Sequence, residues 1–131
     1  MKIENIKKLL NTKNFDFYNY KKVGSTMIEA KKKFNNKNLC ILADEQINGK
    51  GRRGRKWISE KGNLYLSFLI NYPLDIKYHF IFNAAITNSV CELIDHCCNV
   101  RSMIKWPNDI LINNSKISGI ISELYIKNKQ K

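Results

Sequence analysis

The sequence predicts an α+β (mixed α/β) fold, with helices packed on a mixed β-sheet. Three observations predict it. Asn63 to Asn71 alternates with period two, placing Leu64, Leu66, Phe68 and Ile70 on one face and Tyr65, Ser67 and Leu69 on the other, the pattern of a strand. Tyr78 to Cys98 is rich in alanine and apolar residues and lacks proline, the pattern of a long helix. Turn-forming residues separate the remaining short apolar runs, so strands and helices are interleaved along the chain.

Taken in order, Glu4 to Leu10 reads as a short helix with Ile6, Leu9 and Leu10 on one side. Phe15 to Val23 carries alternating aromatics and reads as a strand. Gly24-Ser25-Thr26 turns into a helix, where Thr26 and Glu29 have capping-box spacing. That helix should stop near Asn35-Asn36. Leu39 to Ala43 is a buried strand, and Asp44 to Gly62 a long polar loop. After the alternating strand, Pro73 marks a stop, and the long helix follows. Met103 to Trp106 is a further strand, and Asp109 to Ile112 with Lys116 to Ile126 forms a hairpin about Asn113-Asn114-Ser115. Lys127 to Lys131 is expected to fray. There is no internal repeat and no Pro- or Gly-rich linker.

Composition bounds the function. The chain has 131 residues, room for one domain, and 44% apolar residues allow a packed core. No run of about 18 apolar residues crosses a bilayer, and the N-terminus lacks a signal-peptide pattern, so the expected address is the cytosol, with no membrane partner. The four cysteines, Cys40, Cys91, Cys97 and Cys98, contain no C-x-x-C pair, and only two histidines exist as co-ligands. Neither a zinc site nor a disulfide framework is expected, and the cysteines read as small apolar core residues. The formal charge of +12 invites a nucleic-acid reading. Much of it is a general Lys/Asn/Ile bias, and Lys31, Lys32 and Lys33 read as a solvated helix face.

One segment concentrates charge suggestively: Gln46-Ile47-Asn48-Gly49-Lys50-Gly51-Arg52-Arg53-Gly54-Arg55-Lys56-Trp57. Five cations stand between positions 50 and 56, interleaved with glycines. Glycine lets backbone N–H groups approach an anion, and arginine forks match phosphate oxygens. Gly49, Gly51 and Gly54 satisfy G-x-G-x-x-G, but a strand follows rather than the helix a dinucleotide fingerprint requires. Walker A also fails, because Arg55-Lys56 stands where Lys-Ser/Thr is needed. Taken alone, a solvated basic loop that binds nucleic acid is nearly as good a reading.

A second segment, Lys105-Trp106-Pro107-Asn108-Asp109 followed by Lys116-Ile117-Ser118-Gly119-Ile120, is locally an ordinary turn between strands. The combination is more specific. A Gly-Lys-Gly-Arg-Arg-Gly-Arg-Lys-Trp loop, an Asn-Leu-Tyr-Leu-Ser strand, a Lys-Trp-Pro-Asn-Asp turn and a Lys-x-x-Gly-Ile segment occur in that order. From about Tyr20 to about Leu124 the chain resembles the catalytic domain of biotin protein ligase, also called biotin–[acetyl-CoA-carboxylase] ligase.

The resemblance implies a two-step enzyme. Biotin's carboxylate attacks the α-phosphate of ATP, giving biotinyl-5′-adenylate and pyrophosphate. A lysine amine of a biotin carboxyl carrier domain, from acetyl-CoA carboxylase or a related carboxylase, then attacks the mixed anhydride. It implies ATP, Mg²⁺ and biotin as cofactor and substrates, with Mg²⁺ following from the ATP chemistry and not from an assignable ligand cluster. Ser25 and Thr26 match the pair that bonds the ureido ring, and Gln46 the glutamine lining the biotin pocket. Gly49, Gly51, Arg52, Arg53, Gly54 and Arg55 match the loop closing over biotin and adenylate, with Arg52 holding the adenylate phosphate. Trp57 matches the tryptophan that covers the nucleotide. Lys105 and Asn108 match the motif near the phosphates. Asp109 matches the aspartate that orients or deprotonates the incoming lysine. Lys116 matches the lysine touching biotin's carboxylate and the α-phosphate, and Gly119 a close approach to biotin. The catalytic set is thus Arg52, Asp109 and Lys116.

Two departures stand out: Lys50 where arginine is usual, losing bidentate geometry, and Met27 where a polar residue usually follows Ser-Thr. The resemblance also leads one to expect an incomplete catalytic domain, with no N-terminal helix-turn-helix, no specific DNA binding and no small C-terminal β domain. Ile117, Ile120, Ile121 and Leu124 would then lack some partners. A truncated or split ligase would be inactive alone, or would act as a homodimer or with a complementing C-terminal chain. The competing readings are lipoate–protein ligase, disfavoured by the arginine loop, a degraded ligase that only binds biotin or pairs with another chain, and a basic nucleic-acid module.

Overall fold

A computed structural model describes residues 3–72 and 75–125. The chain divides into two compact units, residues 1–72 and 73–131.

The first unit opens with helix α1, Ile3–Thr12, followed by strand β1, Phe15–Tyr20. Helix α2, Thr26–Lys33, links β1 to β2, Asn38–Ala43, which pairs parallel to β1, the crossover that a parallel neighbour requires. Strand β5, Tyr65–Leu69, lies antiparallel on the far side of β2, so the sheet order is β1-β2-β5 and the sheet is mixed, as expected. Paired residues share a face. Leu39, Ile41 and Leu69 therefore lie beside Tyr18 and Tyr20 on the side where Ala30 of α2 seats, forming the core. Ala30 is small enough to bring the helix close, and Leu39 and Ile41 are fully buried.

Strand β5 alternates as expected, but it buries its less apolar side. Tyr65 is 7% exposed, whereas Leu64, Leu66, Phe68 and Ile70 are 72%, 41%, 51% and 45% exposed. The reason is α2, which packs on the Tyr65–Ser67–Leu69 side, where Ser67 bonds Thr26. Phe68 meets Phe15 edge-on at 5.8 Å on the opposite face.

The expected polar loop from Asp44 to Gly62 is more ordered than its composition suggests. It holds a small hairpin of β3, Gly49–Lys50, and β4, Lys56–Trp57. Parallel pairing also continues beyond β1 and β2: Asp44 N–H donates to Tyr20 C=O, Val23 N–H to Glu45 C=O, Ile47 N–H to Val23 C=O and Asn48 N–H to Gly24 C=O. These bonds carry Gln46 and Gly49 to the start of α2.

In the second unit a single 3-10 turn, Ile76–Tyr78, leads into α3, His79–Cys98. The helix ends at Asn99, whose left-handed conformation (φ 51°) is tolerated by asparagine. Strands β6, Met103–Lys105, β7, Asp109–Ile112, and β8, Ser115–Gly119, form an antiparallel meander. The β7–β8 connection is the two-residue turn Asn113-Asn114, with φ of 48° and 63° at the two residues, a primed-type turn matching strand twist. Ile117 and Leu124 are exposed, and Ile120 and Ile121 are half-buried.

The cysteine expectation needs correction. Cys40 and Cys91 are buried, but Cys97 and Cys98 are exposed, because they fall in the last turn of α3. The Ile126 end of the expected hairpin, Pro73 and the expected frayed tail, Lys127 to Lys131, lie outside the described residues. Among the described residues, no helix is long and apolar enough to cross a membrane.

Candidate active site

In the first unit a buried polar cluster gathers at the start of α2. Ser25 and Thr26 are both buried. The expected capping box is absent. Ser25 occupies the cap position with an extended backbone and no side-chain cap bond, and Glu29 pairs with Lys32 at 3.7 Å instead. The cap comes from elsewhere in the chain. Gln46 Oε1 accepts from Thr26 N–H at 2.8 Å and from the Thr26 hydroxyl at 3.0 Å, satisfying one of the free amides of the first turn. Ser67 donates its hydroxyl to Thr26 Oγ1 at 2.8 Å. Gln46 Nε2 donates to Ser59 Oγ at 2.9 Å, and Ser59 donates to the Trp57 carbonyl at 3.1 Å.

The hairpin rises from this cluster. Gly49 pairs with Trp57 and Lys50 with Lys56. A Cβ on Gly49 would lie 2.5 Å from both Ser59 Oγ and the Trp57 carbonyl, so only glycine fits there. Gly51 N–H donates to Arg55 C=O at 2.7 Å. The tip is a turn over Arg52–Gly54 in which Arg53 (φ 56°, ψ 35°) and Gly54 (φ 74°) are both left-handed. Lys50, Arg52, Arg53, Arg55 and Lys56 are exposed, and Trp57 is half-buried. Lys50 and Lys56 face each other across the hairpin, a like-charge pair that repels. An anion held by the loop would relieve that repulsion.

In the second unit, Lys105 and Asp109 are register partners on either side of Trp106-Pro107-Asn108, whose Trp106–Pro107 peptide is cis. Helix α3 holds this turn. Asn83 Nδ2 donates to the Pro107 carbonyl at 3.1 Å, and the fully buried Thr87 donates its hydroxyl to the Asn83 carbonyl at 2.9 Å and to the Pro107 carbonyl at 3.4 Å. Ser122 donates to Asn83 Oδ1 at 2.8 Å and lies 3.0 Å from His79 Nε2. Ile120 N–H donates to the Asn108 carbonyl at 2.8 Å.

A β-bulge decides which side chain reaches Asp109. Gly119 opposes Asp109 and Ser118 opposes Ile110, but Leu111 opposes Lys116, so Ile117 is the extra residue. The extra residue flips the alternation and puts Lys116, not Ile117, on the face of Asp109. Lys116 Nζ then lies 2.8 Å from Asp109 Oδ1, which also accepts from Asn108 Nδ2 at 2.8 Å. The pair is partly exposed, so screening leaves it well under ~1 kcal/mol of stability, and its importance is positional.

The site residues read from the sequence therefore fall into two groups. Ser25, Thr26, Gln46 and Gly49 gather with the loop of Gly51, Arg52, Arg53, Gly54, Arg55 and Trp57 in the first unit. Lys105, Asn108, Asp109, Lys116 and Gly119 gather in the second. Ser59, Ser67, Asn83, Thr87 and Ser122 were not singled out by sequence, since no local spacing marks them. The donor set does not fit a protein-built magnesium cage: among the described residues no three His, Cys, Asp or Glu side chains come together.

Residues 17–131 match the model of the biotin/lipoate A/B protein ligase family. The chain belongs to that family. Among its relatives, a bifunctional ligase/repressor of Bacillus spizizenii is 34% identical over 108 residues, which are 78% of this chain and 33% of that protein. A biotin–[acetyl-CoA-carboxylase] ligase of Paracoccus denitrificans is 36% identical over 88 residues, 63% of this chain and 35% of that protein. A biotin protein ligase from Aquifex aeolicus, solved in complex with biotin and ATP, superposes with a TM-score of 0.72 at 33% identity, covering 83% of this chain and 47% of that one. This family member thus spans about a third of the length of those curated relatives and about half of that solved structure. Its α+β fold with a mixed sheet is that of biotin ligase catalytic domains.

Proposed function

We propose that this chain activates biotin with ATP to biotinyl-5′-adenylate and passes the biotinyl group to a lysine of a biotin carboxyl carrier domain. The observation that carries this reading is the neutral hydrogen-bonding cluster of buried Thr26 and Ser59 with half-buried Gln46 and Ser67 at the foot of a five-cation hairpin. Biotin has the matching asymmetry, a neutral urea at one end and a carboxylate at the other. Two of the family relatives are named as biotin ligases or solved with biotin and ATP, which supports the same reading.

In the first step a biotin carboxylate oxygen bonds to the α-phosphorus of ATP and pyrophosphate leaves. Two anions must meet, so cations have to offset their repulsion. Ser25, Thr26, Gln46 and Gly49 hold the ring, while Gly51, Arg52, Arg53, Gly54, Arg55 and Trp57 fold over the tail and nucleotide. In the second unit, Lys105, Asn108 and Lys116 supply the donors and positive charge that a developing phosphate charge needs, and Gly119 leaves the backbone opposite Asp109 without a side chain. Magnesium would arrive bound to ATP, where it would offset phosphate charge, since the described residues bring no three carboxylate, His or Cys side chains together. In the second step the acceptor amine bonds to the acyl carbon and AMP leaves. Asp109 serves both steps: it holds Lys116 until the anions draw Lys116 away, and then accepts a hydrogen bond from the incoming amine. The acceptor is a carrier domain of a carboxylase, and the chain acts with it as a homodimer or beside a complementing C-terminal chain.

The rival nucleic-acid reading has support in the charge, since ten of the twelve net positive charges lie in residues 1–72. It leaves the Asp109–Lys116–Asn108 arrangement without a role. The purified chain should release pyrophosphate from MgATP only when biotin is present, and Lys116→Ala should abolish release while Arg52→Gly weakens retention of the adenylate. No biotin-dependent release from folded protein would overturn the reading.

A further inference from the structure

We propose that Ser59 and Ser67 are positioning residues that set the polarity of Gln46 and Thr26, so that the cluster presents acceptors beside a donor and selects a cyclic urea. The inference rests on the biotin reading above and deepens it. A carboxamide has nearly the same shape either way round, so Gln46 could sit in two orientations. Two backbone groups choose one of them. At one end stands Thr26 N–H, 2.8 Å away, which only donates, so the Gln46 oxygen must face it. At the other end stands Ser59, 2.9 Å away, whose proton goes to the Trp57 carbonyl, a group that only accepts. Ser59 therefore offers Gln46 a lone pair, and the Gln46 NH₂ must face that side. The choice propagates. The Thr26 hydroxyl has to donate to Gln46 Oε1 at 3.0 Å, and Ser67, 2.8 Å from Thr26 Oγ1, has to donate to Thr26.

Hydrogen-bonding capacity remains in one pattern. Thr26 Oγ1 keeps one lone pair and Ser67 Oγ keeps two, while Gln46 Nε2 keeps one N–H. Acceptors beside a donor complement the N–H groups and carbonyl of a urea. The sulfur ring of a lipoyl-type acid, the other substrate class in this family's name, offers neither N–H nor C=O. A site built to bond such groups rejects a ligand lacking them, because the ligand would cover its polar atoms from water and leave them unpaired.

The test is calorimetry of the full chain with biotin and, separately, with ATP. Ser59→Ala and Ser67→Ala should each weaken biotin binding roughly tenfold, the size of one lost hydrogen bond, with ATP affinity unchanged. Ser67→Thr restores the hydroxyl on a strand that accepts β-branching and should recover most of the biotin affinity. Alanine variants that bind biotin as the parent does would overturn the positioning role. A readout without biotin separates the two readings. In the free protein one Gln46 side-chain amide proton should be protected from solvent exchange, and Ser59→Ala should abolish that protection. An unprotected amide in the parent would overturn the relay whether or not biotin binds. A protected amide in a protein that does not bind biotin would leave the relay standing and overturn the biotin reading.

Discussion

Replacing Gly49 with alanine adds one methyl group at the most crowded point of the hairpin base. The new Cβ would lie 2.5 Å from both Ser59 Oγ and the Trp57 carbonyl, and 3.2 Å from Gln46 Nε2. Ordinary contact begins about 1 Å further out. The Trp57 carbonyl is backbone on the opposite strand, so it cannot rotate away, and the two-residue ladder of β3 and β4 must open. Overpacking of this kind costs about 1–3 kcal/mol. For a chain of this size that corresponds to a fall in melting temperature of roughly 3–12 °C. Opening the ladder also pulls Ser59 from Gln46, so biotin binding should weaken along with stability. Gly24→Ala is the control, since nothing lies within 4 Å of its added Cβ and its φ is not positive. Thermal melts of both variants, followed by biotin titration, make the comparison. If Gly49→Ala melts within about 1 °C of Gly24→Ala, the crowding argument is wrong.

Asn114→Gly should raise the melting temperature by a few degrees, because residue 114 holds φ 63° in a turn where glycine relieves strain of roughly 1 kcal/mol. Asp109→Asn should leave the melting temperature almost unchanged, since the partly exposed pair with Lys116 contributes little to stability, yet it should slow transfer of biotin to an acceptor lysine. Thiol labelling at pH 8 should modify Cys97 and Cys98 quickly and Cys40 only in denaturant. Burial pushes the Cys40 thiol up from 9.0 to about 11. The unfolded chain therefore ionises this group first, so its contribution to stability is intact below pH 9 and is lost as pH rises toward 11, a loss that Cys40→Ala removes.

Elements whose cause is local were legible in the sequence. The proline-free run to Cys98, the Asn113-Asn114 turn and the alternation of β5 each depend on near neighbours. Alternation, however, distinguishes two faces without saying which one a helix will cover, and α2 chose the face with Ser67. The β3–β4 hairpin escaped because strands of two residues have no period to read. The cap of α2 escaped because Gln46 reaches Thr26 across 20 positions, while the nearer Thr26–Glu29 spacing offered a plausible substitute. In the site, Ser25, Thr26, Gln46 and Gly49 were read from motifs and do gather. Ser59 and Ser67 became visible only once the strands were paired. The bulge at Ile117 likewise could not be read from composition, yet it decides that Lys116 faces Asp109.

Arg53 sits in the left-handed region at the tip of the hairpin, where a side chain is strained and glycine would relax. A search for thermostable variants would therefore favour Arg53→Gly, while a selection for nucleotide affinity would reject it, because the substitution removes one of five cations from the loop. Stability and activity are set against each other at a single codon, and pooled variant libraries scored under heat and under biotin limitation should rank position 53 in opposite order.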